Sequence, residues 1–119
     1  MKCFISPKIE VKQAGNKGRG VFAKFNIKKG EVLELSPYIE VPGKDHDSVQ
    51  NTILTYYWYE VKRKVRAIGL GYASLYNHTK ENNADFQVFA KSKQVKIKAL
   101  KDIKKGDEVF LNYGYDVFE

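Results

Sequence analysis

The 119-residue sequence is poor in soft and titratable ligands: it holds one cysteine, Cys3, and two histidines, His46 and His78. A single cysteine excludes an intrachain disulfide and suits the reducing interior of a cell. So few cysteines and histidines also argue against a structural zinc site, which takes four such ligands. No apolar run approaches the roughly 20 residues that a membrane-spanning helix needs. The N-terminus offers one lysine and then Cys3-Phe4-Ile5, too short an apolar region for a secretory signal. The expectation is an intracellular protein, cytoplasmic or nuclear, not secreted and without membrane contact.

Hydrophobic residues make up 43% of the chain and aromatic ones 13%, which excludes a disordered polymer. The length suits one domain, 1–119, with a modest core. Acidic residues are in the minority, and the formal net charge is +7. The lysines are spread along the chain, with pairs at Lys28-Lys29 and Lys104-Lys105 and a cluster at Lys62-Arg63-Lys64. Such a field favours acidic partners, nucleic acid or a nucleoprotein among them, and a weak nucleic-acid contact is expected. The same lysines also fit solvated loop tips and strand faces.

Apolar residues alternate rather than recur every three or four positions, so the chain predicts strands. Ile9-Glu10-Val11-Lys12 and Val21-Phe22-Ala23 flank a glycine-rich turn. Glu31 to Leu35 reads as another strand, and Pro37 predicts a bend before Tyr38 to Val41. Ser48 predicts the cap of one short helix running to Leu54, and Tyr56 to Tyr59 predicts a buried strand. Gln94 to Ala99 is the cleanest period-2 strand, with lysines on its wet face. The pattern Ala-x-x-x-Ile-Lys-Lys-Gly occurs at Ala23 and again at Ala99, 76 residues later. Two copies predict a pair of similar strand-turn-strand units packed together, too few for a solenoid. Short strands and glycine turns with little helix give a mostly β chain of several small sheets.

One stretch escapes this patterning. Gly71 to Asn83 delivers Asn77 and His78 side by side after a run of small and apolar residues, then ends on a second asparagine. Asparagine carries donors and an acceptor, which suits the grip of a small polar molecule. Gly106-Asp107-Glu108-Val109-Phe110-Leu111-Asn112-Tyr113-Gly114 is a second polar-aromatic signal, and Lys17-Gly18-Arg19-Gly20 a glycine turn. In order and spacing the three resemble the signatures of the SET domain of protein-lysine methyltransferases. The resemblance spans essentially the whole chain and implies a minimal SET domain without cysteine-rich flanks. Its fold would be a β-clip of several small sheets with a pseudoknot-like C-terminal segment.

The resemblance also implies a chemistry and its residues. S-adenosylmethionine would be the cofactor, with the backbone of Lys17, Gly18, Arg19 and Gly20 near its methionine end. Asn77 would hold its amino group, the backbone of His78 its adenine edge, and Phe118 would cover the adenine. Tyr113 would be the catalytic residue, its hydroxyl beside the transferring methyl group. Tyr57, Phe86 and Leu111 would shape the channel for the substrate lysine, the last two limiting the number of methyl groups. No metal is implied. The physical demand is positioning together with removal of a proton from an amine whose ordinary pKa is about 10.4. The partner would be a protein with an exposed lysine, a histone being one such protein, and a homodimer is a further expectation from the aromatic segment around Trp58. Two other readings stay open on the residues: a catalytically inactive basic β-clip module that binds nucleic acid or protein, and an RNA binder stacking bases on Tyr56 to Tyr59.

Overall fold

A computed structural model describes residues 3–62 and 64–113, with the side chain of Lys17 left aside. Within them the alternating segments become strands: β1 (Phe4–Ile5), β2 (Ile9–Gln13), β3 (Arg19–Ala23), β4 (Val32–Val41), β5 (Trp58–Lys62), β6 (Val65–Gly69), β7 (Asn77–His78), β8 (Ala84–Phe89), β9 (Gln94–Ala99) and β10 (Glu108–Leu111). The expected mostly β architecture of small curled sheets is what forms. No helix among the described residues is long and apolar enough to cross a membrane.

The larger sheet runs β5-β6-β4-β9-β8, with β1 also paired to β4. Strand β4 is its spine: Val32 to Pro37 pair with β9, and Tyr38 to Val41 with β6. Strand β9 behaves as its period demands, with Val95, Ile97 and Ala99 buried and Lys98 exposed. Pro37 does not bend the chain as expected. It lies inside the continuous β4, in register with Gln94 at one end of β9.

The smaller sheet runs β2-β3-β10-β7. Its order places residues from near the end of the chain between the first third and the middle, antiparallel to β3 and parallel to β7. The loop after β7 then straps across β10. Thr79 N–H donates to the Leu111 carbonyl at 3.0 Å. The Asn83 side chain donates to the Glu108 carbonyl at 2.9 Å and accepts from Phe110 N–H at 2.8 Å. This passage of the C-terminal strand under a loop is the pseudoknot-like feature.

The repeated motif explains how the two sheets are joined. Ile27 and Ile103, equivalent positions of the two copies, exchange backbone hydrogen bonds at 2.8 Å in both directions. Asn26 accepts from Lys105 N–H at 2.9 Å, and its counterpart Asp102 accepts from Lys29 N–H at 2.8 Å. Gly30 N–H donates to Ala99 and Gly106 N–H to Ala23, so each copy closes on the other. Gly30 and Gly106 have φ of 90° and 94°, which explains glycine at the same place in both turns. The expected pairing of two similar units is therefore a reciprocal one, related by a local two-fold.

The middle of the chain departs from expectation. The helix α1 spans His46–Gln50, and a separate 3-10 turn spans Ile53–Tyr56, capped by the Thr52 hydroxyl on Leu54 N–H. Strand β5 starts only at Trp58, and Tyr56 is 81% exposed. Trp58 and Tyr59 are buried, Trp58 under the Arg66 guanidinium and against the edge of His46. A run of four aromatic residues is thus split, and Trp58 and Tyr59, two of the four that a base-stacking surface would use, lie in the interior.

Replacing Asn83 with alanine should remove two of the three bonds that strap β10, leaving the one from Thr79 N–H. We expect a loss of about 1–3 kcal/mol in urea unfolding, with little change in slope. An unchanged midpoint would show that the strap does not hold the strand.

Candidate active site

Two adjoining clefts, of about 180 and 290 Å³, share the walls Tyr56, Tyr57, Ser74, Tyr76 and Asn77. Tyr113 and His78 line the smaller one, and Gly18 and Arg19 the larger. The three sequence signals, far apart in the chain, therefore meet around one opening, because β10 lies between β3 and β7.

Tyr113 sits at the seam of the two hydrophobic cores and packs against both. Its ring faces those of Tyr59 at 5.4 Å, Phe86 at 6.0 Å and His78 at 6.2 Å. Its hydroxyl donates to the Tyr76 carbonyl at 3.0 Å. Its backbone N–H donates to Nδ1 of His78 at 3.0 Å, so the neutral imidazole carries its proton on Nε2. The sequence suggested only a backbone role for His78; the structure gives its ring this bond and a stacked contact with Tyr113.

Asn77 is oriented by a carboxylate. Its amide donates to Glu108 at 2.6 Å and, more weakly, to the Arg19 carbonyl at 3.3 Å. A carboxylate can only accept, so the amide nitrogen is fixed toward it and the side-chain carbonyl must face away. The same pair explains Gly20. A methyl group on Gly20 would come within 2.5 Å of the Glu108 carboxylate and 2.8 Å of the Asn77 amide. Gly20 is therefore glycine to make room for protein atoms. Gly18, with φ of 78° and open space around it, is glycine for its backbone conformation. Glu108 was not among the residues singled out, although it stands in the polar-aromatic signal from Gly106 to Gly114.

A second carboxylate, also not anticipated, lies beneath. Glu34 is 0% exposed and accepts from the Ser36 hydroxyl, the Tyr76 hydroxyl at 2.6 Å and Tyr72 N–H at 2.8 Å. Burial pushes its carboxyl above the ordinary value of 4.5, against these bonds, which lower it. Burial, with the charge of Glu34 beside it, also holds the Tyr76 phenol well above its ordinary value.

The remaining candidates divide. Tyr57 lines both clefts, while Phe86 lies half-buried against Tyr113 and Tyr59. Leu111 is 1% exposed and belongs to the core, so it backs the site without lining either cleft. Lys17 ends the short 3-10 turn before Gly18. Phe118 lies outside the described residues. Tyr59 is a wall that sequence reasoning passed over, hidden in an aromatic run that looked like ordinary core.

Residues 18–114 match the family model of the SET domain. The chain is 27% identical over 107 residues to a histone-lysine N-methyltransferase of Schizosaccharomyces pombe, specific for lysine 37 of histone H3. That match covers 89% of this chain and 73% of the yeast protein. Among solved structures it resembles a Plasmodium falciparum protein provisionally named a histone methyltransferase, with a TM-score of 0.71 and 30% identity. The likeness covers 97% of this chain and 100% of the other.

The elevated Glu34 carboxyl has a signed consequence. A folded value above the unfolded one means that the folded state holds the proton more firmly. The stability that this group contributes is fully present below the unfolded value and is lost as pH rises through the folded one. Glu34→Gln has no such dependence. The parent's margin over this variant in urea unfolding should therefore shrink as pH is raised from below the ordinary carboxyl value of 4.5 to above it. A margin that stays constant would mean that Glu34 takes up no proton in that window.

Proposed function

Since this chain belongs to the SET-domain family and is a protein-lysine N-methyltransferase, we propose that it takes its methyl group from S-adenosylmethionine and places it on a histone-type protein. The observation that carries this reading is the shared wall of the two clefts, with Asn77 between the glycine turn and Tyr113. The reading as an inactive module is set aside on the family and the relatives.

The two adjoining clefts together fit such a cofactor in the chemistry of their walls. Asn77 has its amide nitrogen committed to Glu108, which leaves a carbonyl to receive an ammonium. Backbone from Lys17 to Gly20 would lie along the amino-acid end, the His78 backbone at the adenine edge, and Phe118 over the adenine. When bound, S-adenosylmethionine supplies an activated methyl group. The chain's own part is to hold the acceptor in line, to remove water and to favour the neutral amine. Aromatic walls from Tyr57, Tyr59 and Tyr113 desolvate an entering lysine and lower its pKa. The Tyr113 hydroxyl, aimed by the Tyr76 carbonyl, is the polar group that would orient the amine. Phe86, behind Tyr113, would limit the space for added methyl groups, with Leu111 packed beneath.

The substrate would present an exposed lysine on a flexible segment. We place the protein inside the cell, in cytoplasm or nucleus, with residues 1–119 acting as one SET domain. The net charge of +7 supports a weak contact with nucleic acid near a chromatin substrate. Ile53 and Tyr56, 70% and 81% exposed beside the larger cleft, support completion of the substrate groove by a second copy.

Labelled methyl transfer onto a histone panel tests the reading, and incorporation into lysine is expected. Asn77→Ala should weaken S-adenosylmethionine by about 1–3 kcal/mol in calorimetry. Tyr113→Phe should keep fold and cofactor affinity while the turnover number falls by roughly two to three orders of magnitude. A variant as fast as the parent would remove Tyr113 from catalysis. Parent activity should climb above neutral pH as more acceptor lysine becomes neutral. Sedimentation should show a dimer; a fully active monomer would rule that assembly out.

A further inference from the structure

We infer that Glu34 is a positioning residue for methyl transfer: it clamps both ends of the turn between Leu70 and Asn77, so that the Tyr76 carbonyl holds the Tyr113 hydroxyl in place. This rests on the methyltransferase reading above and assigns a device to it.

The geometry is a two-handed grip. One carboxylate oxygen, Oε2, takes the Ser36 hydroxyl and Tyr72 N–H at the start of the turn. The other, Oε1, takes the Tyr76 hydroxyl at its end, at 2.6 Å. Gly71 lies against the same group: a methyl group there would come within 2.7 Å of Oε2 and 2.8 Å of the Ser36 hydroxyl, and its φ of 67° is one that other residues rarely adopt. The turn is thus built around the carboxylate. Tyr76 is buried, lines both clefts, and its carbonyl accepts the Tyr113 hydroxyl at 3.0 Å. Asn77, the next residue, is the wall between the clefts. Glu34 therefore reaches the reacting end of the site through one side chain, without touching either cleft.

A purely structural role fits less well. An apolar side chain of similar volume would fill this part of the interior without the desolvation cost of a carboxylate. What the carboxylate alone offers is an acceptor for three donors at once. Glutamine keeps the shape but turns an amide N–H₂ toward donors, so part of the grip must fail. Because the connection runs through the Tyr76 hydroxyl, Glu34 and Tyr76 should act as one unit.

The test uses the full chain, with Glu34→Gln, Tyr76→Phe and the double variant. All are assayed at a temperature where circular dichroism shows them folded. In Glu34→Gln we expect the turnover number to fall by about tenfold or more while KM for S-adenosylmethionine and for a lysine peptide stay within about threefold. The double variant should be no slower than the slower single one, the sign of a shared path. Amide hydrogen exchange without cofactor should quicken in the Glu34→Gln variant across residues 70–78 and remain slow in β9. If the turnover number stays within twofold of the parent, or the two losses multiply, or exchange quickens uniformly, the assignment is overturned. Should Glu34→Gln not fold, Tyr76→Phe decides alone: a turnover number at the parental level rejects the clamp. A parent that transfers no methyl group would instead reject the underlying function, so the two failures are distinct.

Discussion

The parallel pairing of Phe110 and Leu111 with Asn77 and His78 is the contact on which the candidate active site depends. It brings Glu108 to the Asn77 amide and Tyr113 to the His78 ring. It also sets β10 between two strands from distant parts of the chain, so that the glycine turn before β3 reaches the same opening. Parallel pairing cannot be made by a tight hairpin and needs a long connection. Here that connection carries β8, β9 and the second copy of the repeated motif. The site is thus a product of topology, and its residues have no local reason to be neighbours.

Two buried or half-buried carboxylates then orient it from below. Glu108 fixes which end of the Asn77 amide faces the cleft, and Glu34 fixes the turn that carries the Tyr76 carbonyl. Each acts by accepting hydrogen bonds only, which makes its partners' orientation unambiguous. The tyrosine between the cores packs against three rings, and its backbone N–H and its hydroxyl each donate a hydrogen bond.

Much of this was legible in the sequence where residues break a pattern. Asn77 and His78 stood out because neither strand nor helix periodicity accounts for them, Tyr113 stood out through the family resemblance, and all three line one cleft. The repeat at Ala23 and Ala99 announced a pairing of units that the Ile27–Ile103 bonds realise. What stayed hidden was whatever depends on register. Alternation through Leu33 and Leu35 would send Glu34 toward water, but the pairing slips between Val32 and Glu34, and Glu34 is buried along with Leu33. Trp58 is covered by Arg66 from the next strand and by His46 from a helix that begins earlier than Ser48 suggests. Pro37 sits comfortably in β4 because its fit depends on the neighbouring strand, which no local rule reports.

The reciprocal joint between the two copies has a consequence for how the molecule is made. Ile27 waits for Ile103, and β3 waits for β10, so early residues bind partners that a ribosome releases much later. Until then the apolar faces of β2 and β3 lack one of their neighbours. Contacts of such sequence separation carry a large loop-closure cost, and chains rich in them fold slowly. A nascent chain of this protein therefore cannot complete its joint, its smaller sheet or the opening between the three signals until β10 has emerged, after nearly all of the described chain.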